Sequence, residues 1–107
     1  MTTTEIEPKG NSALLEEKVY YKILKGLHES GGILYRRDLI VWLESNVTFT
    51  DWELAYASEK SSYPRWKTIL QHDAALKKAE FIIKTEEGWK ITPQGVEALE
   101  IYSPPEL

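Results

Sequence analysis

The chain has no cysteine among its 107 residues, which removes disulfides, thiolate metal sites and cysteine nucleophiles together and leaves stability to packing. It also lacks any apolar run near the roughly 18 residues that a membrane helix needs. The polar start, Met1 to Gly10, has no apolar core of the signal-peptide kind, so the expected location is cytoplasmic, with no membrane partner. Positive charge is scarce. Thirteen Lys and Arg stand against 17 Asp and Glu, and a net charge of −4 argues against coating nucleic acid by bulk attraction. The two histidines, His28 and His72, lie far apart without zinc-motif spacing, and no glycine loop of the phosphate-cradling kind occurs. No metal or cofactor is expected. Glu16-Glu17-Lys18 contains half of a nuclease-type metal pattern, but no aspartate precedes it, and a helix-surface charge cluster explains it better. With no converging nucleophile, base or metal cluster, the chain reads as a non-enzyme.

What is present fits one soluble domain, with 42% hydrophobic and 28% charged residues and too little material for two cores. Residues 1–10 and 103–107 are polar or proline-rich and read as flexible tails, leaving a domain over residues 11–102. From Ser12, a candidate N-cap, Leu15, Val19, Tyr20, Ile23, Leu24 and Leu27 follow helical spacing up to Gly31-Gly32. Ile33-Leu34-Tyr35 is β-prone, and Leu39, Ile40 and Leu43 give the inner face of a second helix ending near Asn46. Thr50-Asp51-Trp52-Glu53 matches a capping box and predicts a short helix ending near Ser58. Pro64 suits a first helical position, predicting a third long helix that continues to Ala79. Two β-prone segments, Phe81-Ile82-Ile83 and Trp89-Lys90-Ile91, flank a loop ending in Gly88, with Trp89 and Ile91 on one face. Thr92-Pro93 then opens a last helix lined by Val96, Leu99 and Tyr102.

Charge is unevenly spread along this order. Residues 1–59 hold six Lys/Arg against ten Asp/Glu, residues 60–90 hold seven against four, and residues 91–107 add three glutamates. Any anion-binding surface therefore draws on residues 60–90, with Arg36 and Arg37 the main basic pair outside it. On a continuous third helix, Ile69, His72, Leu76 and Ala79 fall on one side and Lys67, Gln71, Ala74 and Lys78 on the other. Arg65 and Lys67 stand in its first turn, against the helix dipole, which asks for an anion nearby. Ser62, Tyr63, Thr68 and Gln71 offer hydrogen-bonding groups of the kind that reach base edges, and Ala74 offers contact to a methyl group. A merely solvated polar face is the rival reading. Lys77 and Lys78 complement the dipole at a helix end and need no ligand. Lys84 and Lys90 lie within reach of phosphate from the hairpin, whereas Glu86 and Glu87 at its tip repel it. Of the four tryptophans, Trp42, Trp52, Trp66 and Trp89, core packing suits Trp66 and Trp89 best, and Trp52 is expected to be exposed.

The order of helix, strand, helix, short helix, helix, hairpin and helix resembles winged helix-turn-helix domains. Leu76-Lys77-Lys78-Ala79-Glu80-Phe81-Ile82, followed by Gly88-Trp89-Lys90-Ile91-Thr92-Pro93-Gln94-Gly95, is similar to the run in the N-terminal domain of Mrr-type restriction proteins. Arg37-Asp38-Leu39-Ile40 is similar to the start of that family's second helix, and the likeness spans roughly Glu17 to Leu99. Glu80 stands where the family usually has glycine. The resemblance implies an α+β, mostly helical winged helix-turn-helix fold with a small antiparallel hairpin wing. It implies a non-catalytic module that binds duplex DNA, sensing sequence or base modification, in a restriction-type system beside an adjoining or separate nuclease domain. A homodimer fits the same reading. The acidic balance and an exposed Trp52 favour the alternatives, a protein-interaction winged helix or a transcriptional regulator.

Overall fold

The computed structural model describes residues 8–101 and is α+β, mostly helical with one small antiparallel sheet. In chain order it runs α1 (Pro8–Glu29), β1 (Ile33–Leu34), α2 (Arg36–Asn46), α3 (Asp51–Leu54), α4 (Arg65–Gln71), α5 (Ala74–Lys78), β2 (Ile82–Thr85), β3 (Gly88–Ile91) and α6 (Pro93–Ile101). Among the described residues no helix is long and apolar enough to cross a membrane.

Helix α1 carries the core. Its Leu15, Val19, Ile23, Leu24 and Leu27 are all buried, as their spacing predicts, and α2, α4, α6 and β3 pack around it. The helix starts at Pro8 rather than at Ser12, so the last part of the expected tail is helical. Gly31 and Gly32 end it with positive φ. Leu39 and Leu43 of α2, Val47 after it, Trp66 and Leu70 of α4, Leu76 of α5, Ile82, Trp89 and Ile91 of the hairpin and Ala98 of α6 complete the buried cluster. Val96 and Leu99 of α6 pack partly buried against it, while Tyr102 lies outside the described residues. The side chain of Trp42 lies against α1 where Gly26 has no Cβ. A methyl group there would sit 2.7 Å from the indole.

The sheet order is β1-β3-β2, both pairs antiparallel, with Ile33 opposite Lys90 and Ile83 also opposite Lys90. Trp89 and Ile91 are both buried on the inner face, as alternation predicts. The hairpin turn is tighter than the expected five-residue loop. Only Glu86 and Glu87 connect the strands, and the Thr85 hydroxyl accepts from the Glu87 N–H at 3.1 Å and donates to the Gly88 carbonyl at 3.0 Å. Gly88 has φ 128°, and a Cβ there would lie 2.5 Å from the carbonyl oxygen of Leu34, so only glycine lets β1 pass this close.

The capping box is fully formed. The Thr50 Oγ1 accepts from the Glu53 N–H at 3.2 Å while Glu53 Oε1 accepts from the Thr50 N–H at 2.9 Å. Helix α3 stops at Leu54 rather than near Ser58, and the chain then bends through a turn at Ser58–Ser61 that brings Tyr56 into a bridge with Pro64. At α6, Thr92 Oγ1 accepts from the Gly95 N–H at 3.0 Å, the expected cap ahead of Pro93.

The long third helix is not continuous. His72 (φ −110°, ψ 61°) and Asp73 (φ −88°, ψ 9°) separate α4 from α5, although neither glycine nor proline occurs between Arg65 and Ala79. Long-range contacts hold the elbow. The Tyr20 hydroxyl donates to the His72 carbonyl at 2.9 Å, and the Asp73 carboxylate pairs with Lys84 from β2. A continuous helix would set Asp73 three residues after buried Leu70, in the middle of the apolar face and away from this partner. Helix α5 closes with Glu80 in the left-handed region (φ 63°), where the Phe81 N–H reaches the Leu76 carbonyl at 3.0 Å.

Candidate nucleic-acid interface

The elbow rearranges the expected recognition face. His72 and Ala79, placed on the inner side of a continuous helix, are exposed, and Asp73 takes the buried position instead. Leu76 is buried and Ile69 partly so, as expected. Gln71, Ala74 and Lys78 are exposed, as expected, but now straddle the junction of α4 and α5 rather than one helical face. Ser62 and Tyr63 are exposed in the segment before α4. Thr68 is turned inward, its hydroxyl donating to the Pro64 carbonyl at 3.2 Å, so it is committed to its own helix.

The two cations that helix electrostatics leaves unexplained have partners within the chain. The Arg65 guanidinium stacks on Trp52 with 4.6 Å to the ring centroid and donates to the Trp52 carbonyl at 2.9 Å. Trp52 is thereby half-buried, not exposed, and Arg65 joins α3 to α4 using one of its five donors. Lys67 stands 4.0 Å from Glu44 of α2, a long, half-solvated pair worth at most about 1 kcal/mol. Such a pair yields easily to phosphate. Trp66 is buried, stacked on Phe49 with 4.6 Å between centroids, and Trp89 is buried beneath Lys84. Both tryptophans belong to the core.

Lys84 is occupied from both sides. Its ammonium lies 4.6 Å from the Trp89 ring centroid and pairs with Asp73, whose side chain is only 9% exposed. Removing that partner would strand a buried carboxylate, at a cost above anything an exposed phosphate contact returns. Lys84 is therefore a structural residue rather than a phosphate contact. Lys18 is similarly engaged, donating to Glu53 and to the Thr48 carbonyl at 2.8 Å each, so of the Glu16-Glu17-Lys18 run it is Lys18 that pins α3 on α1. Among the described residues no group of three His, Asp or Glu is placed to hold a metal ion.

Arg36, Arg37 and Lys90 fare differently. Arg36 and Arg37 open α2, whose N-cap Tyr35 supplies no side-chain hydrogen bond, so the first backbone N–H groups stay open to an acceptor. Arg37 lies 5.4 Å over the Tyr35 ring and Lys90 is exposed on the outer sheet face, neither facing a carboxylate. Asp73 was invisible as a functional position in the sequence, yet a charged residue seven positions after Trp66 and three after Leu70 is itself a signal of a buried pair. No family model, curated protein or solved structure matches this chain.

Proposed function

We propose that the chain is a winged helix-turn-helix module that binds duplex DNA without altering it, as the DNA-reading part of a restriction-type system. One observation carries the reading. β1, which leads into α2, pairs with the hairpin that follows α4 and α5, in the order β1-β3-β2, an arrangement that supports reading the hairpin as a wing. In this reading Arg36, Arg37 and the open start of α2 grip phosphate, Lys67 and Lys78 add to the grip, and Gln71 and Ala74 meet base edges. The acidic turn Glu86-Glu87 stays out of the groove.

The test is a titration of labelled duplexes, methylated and unmethylated, across several salt concentrations. Replacing Arg36 and Arg37 together by alanine should flatten the log affinity against log salt slope by about 1.8, at roughly 0.9 per phosphate contact. Coincident curves for the variant and the parent would end this reading. The internal engagement of Arg65 and Lys84 favours a second one, a winged helix that binds protein, for which salt-dependent duplex binding would be absent.

A further inference from the structure

Among the described residues no helix packs on the outer face of the sheet, where Ile83 and Lys90 are exposed, and the composition of that face is specific. Alternation turns Ile33, Lys90 and Ile83 outward in one row across the three strands, with Tyr35, Gly88 and Thr85 in the next. Ile83 is 52% exposed and Tyr35 50%, among the largest apolar exposures of the described residues. None of the six is acidic, Lys90 makes no ion pair among the described residues, and Arg36 and Arg37 stand at the Tyr35 edge. The row of Ile33, Lys90 and Ile83 is thus apolar at two ends, with Ile33 partly buried, and positive in the middle, between the arginine rim beside Tyr35 and the acidic turn Glu86-Glu87 beyond Thr85 and Gly88.

We propose that this face docks an acidic amphipathic helix of a partner protein, its apolar residues on Ile33 and Ile83 and a carboxylate between them on Lys90. Neighbouring strands lie about 4.8 Å apart, close to the roughly 5.4 Å of one helical turn. Ile33, Lys90 and Ile83 therefore match positions i, i+3 or i+4, and i+7 of a helix laid across the strands. Charge complementarity selects an acidic occupant. The apolar pair selects protein over nucleic acid, because phosphate gains nothing from two isoleucines.

The experiment uses the whole chain and two fluorescein-labelled, lactam-stapled helical peptides, each with leucine at i and i+7. One carries glutamate at i+3 and i+4, the other lysine. Fluorescence anisotropy should give saturable binding of the acidic peptide and at least tenfold weaker binding of the basic one. Lys90→Glu and Ile83→Asp should each weaken the acidic peptide at least tenfold, with unchanged circular dichroism, and Lys90→Glu should restore the basic peptide. Equal binding of the two peptides, no binding of the acidic one, or variants that bind as the parent does would overturn the proposal. So would labelled single-stranded DNA that binds the parent and is lost in Ile83→Asp, which would make the face a nucleic-acid surface.

Discussion

Replacing Glu80 by glycine should make the protein more stable, although it deletes a side chain and adds no contact. Glu80 sits at φ 63°, where a Cβ crowds the following carbonyl at a cost of about 1 to 2 kcal/mol. Glycine escapes that cost but has about 0.5 to 1 kcal/mol more chain entropy to lose on folding. The difference is a stabilisation of roughly 0.5 to 1 kcal/mol. The hydrogen bonds around the site survive, because the Thr92 hydroxyl donates to the backbone carbonyl of residue 80 and the Phe81 N–H to that of Leu76. In a domain of this size that is a rise in Tm of about 2 to 8 °C. Calorimetry on the parent, Glu80→Gly and Glu80→Ala isolates the cause, since alanine removes the carboxylate but keeps the Cβ. If glycine and alanine give the same Tm, the left-handed backbone is not the source and the reasoning is wrong.

Trp89→Ala should cost about 3 to 5 kcal/mol in urea unfolding, because the ring is only 5% exposed and joins the hairpin to the helices; a change near zero would remove it from the core. Lys84→Ala should cost about 1 to 3 kcal/mol by stranding the Asp73 carboxylate, and adding Asp73→Asn should recover part of the loss; strictly additive losses would show that the two do not act as a pair. The Tyr20 phenol is held above its ordinary pKa of 10.0, first by burial and then by the charges of Glu16 and Asp73. The unfolded phenol therefore ionises first, so stability holds below about pH 10 and falls as pH rises through the folded value. Tyr20→Phe should flatten that fall, and an unchanged alkaline limb in urea titrations would refute the assignment.

Much of the fold could be read from local chemistry. The Thr50 capping box, the Thr92-Pro93 helix start, the spacing of Leu15 through Leu27 and the alternation at Trp89 and Ile91 each act within a few residues, and each appears as expected. What failed was decided over long distances. The elbow at His72–Asp73 depends on Tyr20 and Lys84, and between Arg65 and Ala79 only the charge of Asp73 on the apolar side hints at it. The candidate site suffered for the same reason. Arg65 looked unexplained because the Trp52 ring that receives it lies 13 positions earlier, and Lys84 looked free because its partner Asp73 lies 11 positions earlier, at the break between α4 and α5. Arg36, Arg37, Gln71, Ala74 and Lys78 kept their expected exposure or position because helix starts and polar faces need no distant partner.

The two-residue β1 bears on the order in which the molecule assembles. The hairpin of β2 and β3 closes through a two-residue turn and can form within microseconds from residues already adjacent. β1 has no such advantage: Ile33 must find Lys90 across more than half the chain, with only two residues to pair and Gly88 as the sole gap it can pass. The third strand should therefore join last on refolding and open first under native conditions. In hydrogen exchange, the Ile91 N–H that bonds to the Gly32 carbonyl would lose protection ahead of the Thr92 N–H that bonds to Phe81, so the edge of β3 would be bared briefly while the hairpin itself stays closed.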